Sequence, residues 1–149
     1  MRRLSSLFLL LVLPFGAACG DDDPAGPAAD DLTGTWTATS LELVSVADAN
    51  TRVDLMDLEY TCTLILEEDG DFFITIVDPV EGNIGGSGHW SSTDVLTMEF
   101  LEGQFDVTWE FDIVLSGNTL RLTGADAEYD FDDDGTEDAA RLNLTLMRD

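Results

Sequence analysis

The chain has 149 residues, with six basic groups, all arginine, against 31 carboxylates, for a formal charge of −25. That length allows one ordinary domain, and the want of a cationic stripe excludes nucleic acid and anionic lipid headgroups as partners. Apolar residues at 44% and three Trp supply enough material for a core, which favours a folded acidic domain over a disordered chain.

Met1, Arg2 and Arg3 form a short positive region, residues 7–15 are apolar apart from Pro14, and Gly16, Ala17 and Ala18 are small. This is the pattern of a secretory signal peptide, since the apolar stretch is about half the roughly 20 residues that a spanning helix needs. Ala17-Ala18-Cys19-Gly20 resembles a bacterial lipobox, with Gly16 where that motif usually has Leu. The resemblance implies cleavage after residue 18 and acylation of Cys19. The alternative is an ordinary secreted protein in which Cys19 is incidental. Cleavage would leave 131 residues (149 less 18), four Arg against 31 carboxylates and a charge of −27. Residues 19–31 hold no side chain suited to a core and read as an acidic Gly/Pro/Ala tether. Asp21, Asp22 and Asp23 resemble the acidic export signal of some surface-exposed outer-membrane lipoproteins, and they equally serve to keep a linker soluble. The expected location is the bacterial cell envelope, with the chain anchored by lipid at the outer membrane and, if the acidic run is read as an export signal, displayed at the surface. An acylated Cys19 cannot form a disulfide, so Cys62, which alternates with Tyr60, Leu64 and Leu66, reads as a small buried hydrophobe.

From Leu32 to the end the hydrophobic period is 2, which predicts strands over 33–46, 60–67, 71–78, 86–92, 94–101, 105–116, 118–124 and 139–148. In the sixth, Phe105, Val107, Trp109, Phe111, Ile113 and Leu115 are expected to face inward. In the first, Trp36 and Ala38 are out of step with Leu41 and Leu43, which predicts a bulge at Thr39-Ser40. Two connections are long, 47–59 and 125–138, and the first contains a candidate helical turn or lid at 53–58. Eight short antiparallel strands joined to their sequence neighbours predict an all-β, up-and-down barrel over residues 32–149, with a sandwich as the competitor.

Several motifs in this pattern resemble one family. Leu32-Thr33-Gly34-Thr35-Trp36 looks like the opening G-x-W of the lipocalin-like domains of bacterial lipoproteins, and Gly88-His89-Trp90 repeats it. Asp69-Gly70-Asp71-Phe72, residues 94–98 and residues 115–120 are similar to that family's successive hairpins. The resemblance implies a small calyx-like barrel, and it carries no reaction and no defined binding residues with it.

Three kinds of chemistry follow from the residues. Asp130-Phe131-Asp132-Asp133-Asp134-Gly135-Thr136-Glu137-Asp138 reads D-x-D-x-D-G-x-x-D. Carboxylates of Asp130, Asp132, Asp134 and Asp138, a carbonyl at Thr136 and a turn-forming Gly are the oxygen set of a hard cation such as calcium. Position 12 is Arg141 where an EF-hand has Glu, so the expected affinity is weak, on the order of 10⁻⁴ to 10⁻³ M. Eight carboxylates fall within residues 126–138, and a loop holding them would close more easily on a divalent ion. The alternative is an open, solvated acidic loop. Trp36, Phe72, Ile74, Trp90, Met98, Phe100, Trp109 and Phe111 are expected to face inward, either lining a pocket for a small apolar ligand or making a filled core. A filled core would suit a structural or interaction protein of the surface. An enzyme is the least supported class, because His89 is a lone strand histidine and the Ser87 segment lacks the glycine and the strand-turn-helix context of a nucleophile elbow.

Overall fold

A computed structural model describes residues 26–105 and 107–149. The signal segment, Cys19, residues 20–25 of the tether and Asp106 lie outside the described residues. Nine strands occur among the described residues: β1 (Gly34–Ser45), β2 (Arg52–Asp54), β3 (Thr61–Leu66), β4 (Asp71–Asp78), β5 (Gly82–Ser92), β6 (Val95–Gly103), β7 (Thr108–Ser116), β8 (Thr119–Tyr129) and β9 (Asp138–Arg148). A single helical turn, α1 (Ala29–Leu32), precedes them, and a 3₁₀ turn (Leu55–Leu58) follows β2. Every pairing is antiparallel. The ladder runs β1, β3, β4, β5, β6, β7, β8, β9 and returns to β1, which closes an eight-stranded barrel, and β2 is added along the far half of β1.

Alternation along each strand sorts the side chains. Ala140, Leu142, Leu144 and Leu146 of β9 and Leu120 and Leu122 of β8 point in, while Arg141 and Arg121 between them point out. The expected bulge is present: against β9, Ala38 pairs with Leu146 and Ser40 with Thr145, leaving Thr39 as the extra residue. The parity of β1 flips there, so Trp36 and Ala38 on one side and Leu41 and Leu43 on the other are all buried.

The structure differs from the sequence reading in five places. β5 begins at Gly82 and not at 86, because its pairing with β4 continues as far as Asp78 opposite Gly82. β8 does not end at Gly124 but passes through it. Gly124 is a second bulge with φ of 100°, beyond which Ala125 is buried and pairing continues to Tyr129 against Asp138. The connection expected over 125–138 therefore shrinks to residues 130–137. Val107 is about half exposed and precedes β7, because β6 pairs with β7 only as far as Glu99 opposite Thr108. In the connection over 47–59, residues 52–54 form β2 ahead of the 3₁₀ turn. The last tether residues, Ala29 to Asp31, wind into α1, which drops Leu32 into the core.

The end of the barrel nearest the tether is roofed by the two G-x-W tryptophans. Trp36 Nε1 donates to the Leu32 carbonyl at 2.8 Å, and Trp90 Nε1 donates to the Glu67 carbonyl at 3.0 Å, so each buried indole N–H is satisfied. Arg148 from β9 lies 4.4 Å from the centroid of the Trp36 ring and donates to the carbonyls of Thr33 and Asp31. This guanidinium couples the last strand to the chain entering the first one.

Asp54 holds the middle of β1. β3 leaves β1 after Thr37 and β2 joins at Glu42, so the bulged stretch between them has no strand on that edge. The Asp54 carboxylate fills the gap, accepting from Ser40 Oγ (2.7 Å), Leu41 N (3.0 Å) and Met56 N (3.0 Å). Partial burial would raise its pKa, but those three hydrogen bonds outweigh it and hold the carboxyl below the usual carboxylate range. Asp54→Ala should cost about 1–3 kcal/mol by leaving the Leu41 N–H unpaired. The native pKa is depressed, so this contribution is fully present above the unfolded value of about 3.9 and is lost as pH falls through the native value. Urea midpoints of the two proteins should differ at pH 7 and converge toward pH 3.

Candidate functional site

The carboxylate-rich loop joins β8 to β9. Tyr129 and Asp138 face each other as the last pair of the ladder, and residues 130–137 form the connection between them. Ligand oxygens of Asp130, Asp132 and Asp134 lie within 4.8 Å of one another. Local hydrogen bonds wind the loop into this shape. Asp130 accepts from the N–H of Gly135 (2.8 Å) and of Asp134 (3.2 Å), and Asp134 accepts from Thr136 N (2.8 Å). Two residues adopt positive φ to permit the turn, Asp133 at 58° and Gly135 at 85°. The N–H of Gly135, assisted by those of the preceding aspartates, keeps the Asp130 carboxyl below the usual range and hence charged. On the inner side, the rings of Tyr129 and Phe131 meet edge-on with centroids 5.0 Å apart and pack against the core.

Asp138 begins β9 outside this cluster, and Thr136 meets it through its N–H. Arg141, at EF-hand position 12, is a strand residue opposite Asp126 and forms an ion pair with it. Asp126 and Glu128 stand on β8 and are therefore removed from the charge that the loop itself must accommodate.

All eight residues expected to face inward do so and are buried. Their rings touch: Phe100 packs edge-on against Phe72 (5.0 Å) and Trp109 (4.8 Å), and Trp109 against Phe111 (6.0 Å). Phe105, which the sequence reading placed in the same row, tilts over Phe100 and Trp109. Gly86 has no side chain because the Phe100 ring takes its place, a Cβ there lying 2.7 Å from Phe100 Cδ1. Cys62 is buried among them, and loss of solvent pushes its thiol pKa up to about 12.

A second carboxylate group was missed. Glu67, Asp69 and Asp71 of the β3–β4 hairpin also bring oxygens within 4.8 Å, and His89 Nδ1 lies 2.6 Å from Asp71 Oδ1. The run Glu67-Glu68-Asp69-Gly70-Asp71 reads in sequence only as a turn, and His89 joins it because β5 pairs it opposite Asp71. Buried Asp78 forms another polar knot, accepting from Tyr60 Oη (2.5 Å), Val80 N (2.6 Å) and Glu81 N (2.9 Å), which pushes the Tyr60 pKa up to about 12.

Comparison with protein families, with curated proteins and with solved structures returns no match in any of the three.

Two outcomes are expected from this geometry. In a Cys19→Ser chain, Cys62 should resist a thiol reagent at pH 8 and react at once on unfolding, as thiol counting with and without denaturant will show. Asp130→Ala removes the acceptor that winds the loop, so hydrogen exchange at the Asp134 and Gly135 amides should accelerate while that of the β8–β9 ladder is unchanged.

Proposed function

We propose that this chain is a lipid-anchored protein of the bacterial cell envelope, held at the outer membrane by acylated Cys19 and an acidic tether. Its barrel is a non-enzymatic, lipocalin-like module that acts through its exterior, and its β8–β9 loop takes calcium. The observation that carries this reading is the convergence of Asp130, Asp132 and Asp134 in a loop already wound by its own amides. Two oxygens on opposite sides of a calcium ion, each about 2.4 Å from it, would be about 4.8 Å apart. The spread of the three carboxylates therefore suits one such ion. They would supply part of its oxygen shell, with water for the rest, and the incomplete set agrees with weak binding.

The ring contacts around Phe100 favour a filled core over a cup for a small apolar ligand, since the side chains that would line the cup occupy it. A structural or interaction role at the cell surface is thus better supported than ligand storage. The anchor is supported by the enclosure of Cys62, which leaves a disulfide to Cys19 without an accessible partner.

With calcium at about 10 mM and a dissociation constant in the range given above, the unfolding midpoint should rise by roughly 5–10 °C. Asp130→Asn combined with Asp134→Asn should abolish that rise, and a midpoint indifferent to calcium in the unaltered protein would remove the ion from the reading. Labelled palmitate should enter the chain in a bacterial host and fail to enter the Cys19→Ala variant; label retained without Cys19 would remove the anchor.

A further inference from the structure

The outer face of β4, β5 and β6 carries a trough unrelated to the acidic loop. Two adjoining concavities, of about 340 Å³ and about 150 Å³, share Phe73, Ser87 and Glu102 in their walls. Their floor is largely bare backbone. Gly85, Gly86, Gly88 and Gly103 cluster there because the strands approach too closely for side chains: a Cβ on Gly85 would stand 2.5 Å from the Ile74 carbonyl oxygen, and one on Gly88 or Gly103 would strike the backbone of Glu99 or Gly85. The walls are not polar throughout. Phe73 of β4 is 45% exposed, and Leu101, the bulged residue where β6 passes Ser87 and Gly88, is 58% exposed. Beside them stands exposed Glu102.

The surrounding charge has one sign. Residues 53–120, which include all of β3 to β7, contain 15 carboxylates and neither Lys nor Arg. An anion is repelled from such a face, and a neutral apolar molecule would bury the Glu102 carboxylate without a partner. A bare metal ion makes no use of Phe73 and Leu101. A cation with an apolar body uses both the Glu102 carboxylate and the exposed Phe73 and Leu101 side chains, and the larger concavity, whose lining also includes Thr75 and Asn83, is at the low end of the roughly 300–1,000 Å³ typical of small-ligand sites.

We propose that this trough binds a small organic cation, with its ammonium or guanidinium group on Glu102 and its apolar body on Phe73 and Leu101. The exposed Phe73 ring adds a face to which a cation is attracted. The site shares no residue with the calcium loop and does not depend on it.

The probe is 2-phenylethylammonium, titrated at physiological ionic strength and followed in ¹H–¹⁵N spectra of the whole chain, where glycine amides resolve from the rest. The amides of Gly85, Gly86, Gly88 and Gly103 should move together along one saturating curve. Glu102→Gln and Phe73→Ala should each weaken the fit by about two- to fivefold. Both side chains are exposed, and an unchanged unfolding midpoint will establish that the variants fold. Neutral 2-phenylethanol should move none of these amides. Shifts that never saturate, that spread equally to residues 67–69 and 130–137, or that are indifferent to Glu102→Gln would overturn the proposal.

Discussion

The structure depends on β1 being shared. One of its edges is taken by β9 over almost its whole length, from Trp36 opposite Arg148 to Ser45 opposite Ala140, and the other edge is divided between β3 and β2. A straight twelve-residue strand could not keep one face inward while curving from one partner to the next. The extra residue at Thr39 lets it turn, and the Asp54 carboxylate replaces the strand missing at the bend. Closure leaves the core strands without an open edge along which a second chain could pair.

Cations are scarce, and their positions follow from this closure. The four arginines of the described residues lie on β2, β8 and β9. Arg52 pairs with Glu42, Arg141 with Asp126, and Arg148 caps Trp36. Exposed pairs of this kind contribute at most about 1 kcal/mol each, so their effect is on registration more than on stability. The opposite side of the barrel is left wholly anionic. Loops on both sides limit self-repulsion by giving carboxylates backbone N–H partners, as Asp78 does with Val80 and Glu81 after β4 and Asp130 with Gly135 between β8 and β9.

Much of this was legible in the period of the sequence. Five of the eight expected strands recur with ends within about two residues, and the parity break at Thr39-Ser40 marks the bulge that the structure shows. The same signal was present at Thr123-Gly124-Ala125 and read as a strand end, because a glycine ends a strand as readily as it bulges one. That confusion enlarged the acidic loop by counting Asp126 and Glu128 within it. The triad Asp130, Asp132 and Asp134 survived because its spacing is local. The pairing of His89 with Asp71, the burial of Asp78 beneath Tyr60 and the glycine floor between β5 and β6 were out of reach, since each arises from strand register between residues 18 or more positions apart or from close packing.

Sharing β1 between its neighbours also dictates when the molecule can become itself. β1 is formed from residues 34–45, yet one whole edge of it waits for residues 140–148, so no early hairpin can stand in for the final seam. Contacts of such long separation make folding slow, and they delay commitment until the whole chain has been made. Until those last residues are present β1 keeps one edge unpaired, so the closed form is the final state the chain can reach and never an early one.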